Sequence, residues 1–216
     1  MSNAATLSRA YIAARLAERA GDRRIVPRDL PPDATINPPG GLISAAVLVP
    51  LVEGPDGYDV VLTQRAAHLS KHAGQISFPG GRTEPEDPDP IATALREAQE
   101  EIALPCDAVE ILGMLDSYVT GTGFLVVPVV GIISRPVRFV PDPFEVASIL
   151  TPPLDFLTDP ANRRRDHREV NGRRRFFHAI PWGEHYIWGA TAGMLVNFAE
   201  RLGRSAPLPT NEEAAP

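Results

Sequence analysis

Apolar residues along this chain fall into two spacings, one suited to helices and one to strands, with proline-rich stretches between them. Residues 6–20 carry Leu7, Tyr11, Ala14 and Leu16 near one side at helical spacing, with Gly21 as a stop, which predicts an N-terminal helix. Over 22–41 the pattern dissolves. Pro27, Pro31, Pro32, Pro38 and Pro39 fix φ and remove backbone donors, so an extended connector is expected. Two β-favouring runs follow, 42–52 and 58–65, around the turn-forming Gly54-Pro55-Asp56-Gly57, and predict a hairpin. Residues 90–102 return to helical spacing, with Ile91, Ala94, Leu95 and Ala98 on an apolar side and acids elsewhere. Runs 109–115 and 125–133 read as strands, 168–170 and 173–180 as a hairpin turned at Gly172, and 188–202 as a closing helix. Strands and helices without a regular βαβ repeat predict an α+β fold in which helices flank a mixed sheet.

The 216 residues, 44% of them hydrophobic, are enough for one substantial core. The expected division is an N-terminal helix and connector over 1–41, the main domain over 42–204, and a polar, proline-containing, disordered tail over 205–216. A formal net charge of −6 argues against a surface that grips nucleic acid. Cys106 is the sole cysteine, so neither an intramolecular disulfide nor a multi-cysteine zinc site can form, in keeping with a reducing cytoplasm. The N-terminus lacks a signal-peptide core, and no stretch approaches the roughly 20 apolar residues of a membrane span. A soluble cytoplasmic protein without a membrane partner is expected.

Charge changes the picture most in the helix over 90–102. Each helical residue advances about 100°, so Glu97, Glu100 and Glu101 share one side. Like charges at this spacing repel, although Arg96 offers Glu100 an opposite-charge pairing at i,i+4. An isolated pair of glutamates is ordinarily a solvated face. Three together, if brought to one point, form an oxygen cluster suited to Mg2+ or Mn2+, which also hold substrate phosphates.

The segment from Phe78-Pro79-Gly80-Gly81 through Leu104 resembles the Nudix box, G-x5-E-x7-R-E-U-x-E-E-x-G-U with U apolar. It departs from the pattern in three ways. Asp87 stands at the first acidic position, eight residues rather than seven separate it from Arg96, and Ala103 replaces the last glycine. Asp87, Glu86 and Glu84 are therefore all candidates for the acid that supports Arg96. The resemblance implies a metal-dependent pyrophosphate hydrolase with an α/β/α sandwich and a mixed sheet, here preceded by a helix, over 42–204. It further implies that Glu97 and Glu101 ligate the metal, Glu100 is a third ligand or positions water, Arg96 orients the cluster, and Gly81 adds a backbone carbonyl.

Upstream, Leu62-Thr63-Gln64-Arg65-Ala66 and the stretch from His68 to Gly81 resemble the signature of coenzyme A pyrophosphatases within that superfamily. Ser70 stands where a basic residue often follows the leucine, and Lys71 comes next. That subfamily commonly carries the aspartate and the one-residue expansion in the box. The resemblance continues through Phe144-Glu145-Val146-Ala147, residues 153–162 and residues 187–192. It implies cleavage of coenzyme A or acyl-coenzyme A into 3′,5′-adenosine bisphosphate and (acyl-)4′-phosphopantetheine. Arg65, His72, Gln75 and Phe78 are the candidate substrate contacts. The proton acceptor stays open among Glu97, Glu100 and a loop acid; Glu145 is the loop acid to test, with a surface or capping role the favoured reading.

Two other functions compete: hydrolysis of another nucleoside diphosphate derivative such as ADP-ribose, and a non-catalytic nucleotide sensor on the same fold. The intact glutamate cluster speaks against the sensor. Between 163 and 175 there are seven arginines against Asp166 and Glu169, a patch that suits phosphate, a solvated hairpin or a subunit contact. His68, His167, His178 and His185 form no local metal motif, and Phe176, Phe177, Tyr186 and Trp188 are expected to pack. A homodimer through the N-terminal helix is open, as is packing of that helix on its own domain.

Overall fold

In chain order the elements are α1 (Arg9–Ala17), β1 (Arg24–Ile25), β2 (Ile43–Gly54), β3 (Gly57–Val60), β4 (Leu62–Arg65), β5 (Ile76–Ser77), β6 (Gly80–Arg82), α2 (Pro90–Ile102), β7 (Val109–Met114), β8 (Ser117–Val119), β9 (Phe124–Ile133), β10 (Val146–Leu150), α3 (Leu154–Thr158), β11 (Arg164–Val170), β12 (Arg173–Trp182), β13 (His185–Trp188) and α4 (Ala190–Arg201). The computed structural model describes residues 7–18, 24–25, 41–69, 73–170 and 172–204. The tail expected over 205–216, and all but Arg24, Ile25 and Gly41 of the 22–41 connector, lie outside the described residues.

Alternate residues of β2 reach two separate cores, and this sets the layering. Ala45, Val49 and Leu51 enter the larger core, while Ala46 and Leu48 enter a smaller one. β9 runs parallel beside β2, in register from Ile43↔Phe124 to Leu51↔Ile132. Strands buried on both faces read as near-continuous apolar runs, which is how both appear in the sequence. β7 and β8 pair antiparallel with β9, β3 and β6 antiparallel with β2, and β1 parallel with β8, giving a mixed seven-stranded sheet. Ala94, Ala98 and Ile102 of α2 fill the smaller core on one side, and Ile12, Leu16, Leu195 and Phe198 of α1 and α4 fill the larger core on the other. The α+β class and the α/β/α layering hold. Two three-stranded sheets, β10-β4-β5 and β11-β12-β13, complete the fold.

Helix α1 packs on its own domain. Leu16 sits against Gly113 of β7, Tyr11 Oη donates to Leu202 O (3.0 Å), and Arg15 Nε donates to Arg201 O (2.9 Å). The apolar side that left a homodimer open in the sequence is covered from within. No helix among the described residues is long and apolar enough to cross a membrane.

Three sequence expectations need correction. The strand over 58–65 is two strands: Val61 N donates to Pro50 O and Val60 N to Pro152 O, both at 2.9 Å, and β4 leaves β2 to pair with β10. Val60, Val61 and Leu62 are all buried, so the chain crosses between layers where the alternating pattern breaks. The helix expected from 188 starts at Ala190, because residues 185–188 extend the β12 hairpin as β13 and Gly189, at φ 67°, turns the chain. The hairpin around Gly172 starts at Arg164 rather than 168. Strands β8 and β10, too short to show a period, were not expected.

Both ends of α2 are fixed by its own sequence. Asp89 Oδ1 accepts from Ala92 N (2.8 Å) with Pro90 at the first turn, and Ala103 closes the helix at φ 53°. Ala103 is the one non-glycine residue among those described with positive φ, at the box position where glycine is usual. Its Cβ opposes the left-handed conformation. Ala103→Gly is therefore expected to raise stability by about 1 kcal/mol, measured as an increase in urea midpoint at unchanged slope; no increase would mean the turn is not strained.

Candidate active site

Helix α2 carries Glu97 and Glu101 one turn apart, facing β6. Strand β6 pairs with β2 through Ala46↔Gly81 and Val47↔Gly80. A Cβ on Gly80, at φ 153°, would lie 2.5 Å from Ala46 O, and a Cβ on Gly81 would lie 2.5 Å from Glu97 Oε1. The two glycines let a strand edge and a carboxylate share one space. The Gly80 amide donates to the Glu101 carboxylate.

Arg96 is tied down from the side away from the chemistry. Its Nε donates to Asp87 Oδ1 (3.1 Å), and its Nη2 donates to Asp87 Oδ2 (3.0 Å) and to Arg82 O (3.0 Å). Asp87 also accepts from Glu84 N (2.9 Å) and Thr93 Oγ1 (3.0 Å). The Arg96 guanidinium, followed by the Glu84 amide, holds the Asp87 carboxyl well below the usual carboxylate range. Of the three acids left open, Asp87 is the one that forks onto Arg96. Thr93, one helical turn before Arg96, completes the anchor, although nothing in the sequence singled it out.

The other edge of Arg96 faces the acids. Nη1 lies 3.1 Å from Glu97 Oε1 and 3.2 Å from Glu100 Oε2. Glu100 is largely exposed, and Glu97 mostly covered. Burial raises the Glu97 pKa against the lowering pull of Arg96.

Glu101 is 5% exposed. Burial first, then the Glu97 charge, push its pKa up to about 8, opposed by Arg65 and the Gly80 amide. Its Oε2 is buried without a hydrogen-bond partner. Glu145 adds negative potential on both Glu97 and Glu101. The reason is a clip at the end of α2: Val140 N donates to Ile102 O (3.1 Å) and Asp142 N to Glu101 O (2.8 Å). The Asp142 turn then delivers Glu145, whose carbonyl accepts from Ala66 N (2.8 Å) beside Arg65. Glu145, favoured as a surface acid from sequence, is exposed but belongs to this cluster.

The donor chemistry fits a hard divalent cation. A buried carboxylate oxygen without a partner is costly unless a cation completes it, and the neighbours are further carboxylates. Among the described residues no three acids, histidines or cysteines already stand as a ligand set. Glu97 and Glu100 lean on Arg96, so full ligation requires one or both to turn from it.

The remaining expected contacts divide. Arg65 lies within electrostatic reach of Glu101, and Gln75 lines a cleft beside β5 and β13. His72 lies outside the described residues. Phe78 is 2% exposed and packs in the larger core, next to the glycines in sequence.

A family model described as the NUDIX domain matches residues 42–170. Relatives called uncharacterized Nudix hydrolase NudL align over 162 residues, or 74% of this chain and 82% of theirs, at 43% identity in Cronobacter sakazakii and 44% in Salmonella newport. Among solved structures, the MutT protein from Methanosarcina mazei Go1 is similar over 75% of this chain and 93% of its own, at 17% identity and a TM-score of 0.46.

Glu101 also makes stability depend on pH in a defined direction. In the folded state its proton is held to about pH 8, whereas the unfolded chain releases it near the ordinary 4.5. Between those values the unfolded chain binds fewer protons, so this group's contribution to stability falls as pH rises. With a chelator present, the melting temperature of Glu101→Gln should gain on the native protein from pH 5 to pH 8, and Mg2+ should restore the native protein at pH 8. A constant difference across that range would contradict the assignment.

Proposed function

The chain belongs to the Nudix hydrolases, and on that footing we propose that it cleaves the pyrophosphate bond of coenzyme A or an acyl-coenzyme A. Support comes from the stretch 62–81, whose residues resemble the coenzyme A signature and which frames Glu101 from both ends. Arg65 acts on its carboxylate from one end and the Gly80 amide from the other. The residues that suggest the substrate and those that suggest the chemistry therefore meet at one carboxylate.

A bound Mg2+ or Mn2+ would neutralise phosphate charge and make an attacking water more acidic. Glu101 and Glu97 would hold it, with Glu100 turned inward as a third ligand or as a hydrogen-bond acceptor for water. The Gly81 backbone lies beside the Glu97 carboxylate, and its carbonyl would be a further ligand to test. Asp87 keeps Arg96 fixed, so that Arg96 in turn restrains the acids before substrate arrives. Arg65 offers a fork to the pyrophosphate. Glu145, exposed and adjacent, accepts the proton as water adds to phosphorus and the bridging P–O bond breaks. The products are 3′,5′-adenosine bisphosphate and 4′-phosphopantetheine or its acyl form.

Incubation with coenzyme A and either metal, followed by mass measurement, should give those two products. Efficient ADP-ribose cleavage with no turnover of coenzyme A or acyl-coenzyme A would overturn the substrate, and no turnover of any nucleoside diphosphate derivative would point to the sensor. Glu145→Gln is expected to lower kcat about 100-fold with little change in KM. A kcat unchanged by that substitution would remove Glu145 from proton transfer.

A further inference from the structure

The acidic site makes no use of the arginines on the β11–β12 hairpin. Arg163 has a structural post, donating from Nη2 to Thr158 O (3.2 Å) and Arg204 O (2.9 Å). The others are sorted by the pleat. The register Asp166↔Phe177, Arg168↔Arg175, Ala179↔Trp188 and Pro181↔Tyr186 puts Arg164, Arg168, Arg175, Phe177, Tyr186 and Trp188 on one face. Arg168 and Arg175 stand directly opposite, an arrangement of like charges that opposes pairing. Asp166 is the acid of β11 on this face, and it already accepts from Tyr186 Oη (2.6 Å). The Arg168 guanidinium lies over the Trp188 ring (5.4 Å), which Phe177 supports from 5.0 Å.

This face continues into a cleft of about 380 Å3, lined by Tyr186 and Trp188 together with Gln64 and Gln75. Glu184 also lines the cleft, on the β12–β13 turn, at the far end of the sheet from Arg168 and Arg175. An anion is therefore drawn to the arginine end. Gln64 precedes Arg65 in β4, and successive strand residues point to opposite faces. The cleft and the acidic site thus lie on opposite faces of the end of β4.

We propose that this basic and aromatic face, with its cleft, is a second anion subsite, and that it takes a phosphate monoester carried by the substrate away from the bond that is cut. Arginine forks bind the phosphate, and Trp188 and Tyr186 offer flat surfaces to the group that bears it. The inference rests on the reading of the substrate as a pyrophosphate with one further phosphate, as in coenzyme A.

Calorimetric titration of the full chain, in chelator and without turnover, tests it with adenosine 3′,5′-bisphosphate against adenosine 5′-monophosphate. The native protein should bind the bisphosphate at least about 10-fold more tightly, with a salt-dependent difference. The double variant Arg168→Gln/Arg175→Gln, checked for an unchanged melting curve, should bind the two alike. Equal binding by the native protein, or discrimination that survives in the double variant, overturns the subsite. Tighter binding of a single-stranded oligonucleotide than of the bisphosphate also overturns it, in favour of a polynucleotide surface. The readout is independent of hydrolysis: coenzyme A cleavage without discrimination defeats the subsite alone, and discrimination without cleavage defeats the hydrolase reading alone.

Discussion

Glu101 presents an ionisable oxygen to a nearly closed interior, and the neighbouring structure answers to that one group. A buried carboxylate oxygen without a hydrogen-bond partner is expensive when charged, and here the expense is met partly by holding the proton to about pH 8. The Gly80 amide and Arg65 lower the cost, while Glu97 and Glu145 raise it. Such a balance is stable only if the helix bearing the group cannot move. The Asp89 cap, the Pro90 start and the apolar seat of Ala94, Ala98 and Ile102 supply that rigidity. A cation placed beside Oε2 would remove the conflict, which would couple folding to metal binding through one side chain.

Arg96 solves a related problem. Three glutamates within five residues repel, and the single guanidinium among them satisfies two while Asp87 holds it from behind. The extra residue between Asp87 and Arg96 does not break this anchor. Upstream of it, Asp87 N donates to Glu84 O (3.0 Å) and Asp87 Oδ2 receives the Glu84 amide, which fixes Asp87 ahead of α2. Aspartate in place of glutamate is shorter, yet it still reaches both Nε and Nη2.

The parts of this arrangement legible in sequence were those with a local period or a fixed spacing. The α2 helix was legible from Pro90 to Ile102 because apolar residues and caps agree along it. The β2 and β9 strands appeared because burial on both faces leaves long apolar runs. Phe78 is ambiguous in sequence because an aromatic residue beside a glycine loop reads equally well as a contact or as packing, and its burial leaves no local pattern. The place of Glu145 beside the acids carries no local signal either. Its position depends on backbone bonds from Val140 and Asp142 to the end of α2, pairings roughly 40 residues apart that leave no local pattern. The split at Val61 was hidden because three consecutive buried residues look like a continued strand.

That split matters more than its size suggests. Had residues 58–65 formed one strand on β2, the Leu51↔Val60 register would have set Arg65 opposite Ala46, the place that Gly81 occupies. By crossing at Val61, the chain sends β4 to pair with β10, which brings Arg65 into register with Val146 and next to Glu145. The same crossing turns Gln64 toward the cleft walled by β13. Two adjacent side chains thereby serve opposite faces of one short strand, one toward the buried carboxylate and one toward the aromatic wall. A single break in the hydrophobic alternation thus decides which residues can meet the acidic cluster at all.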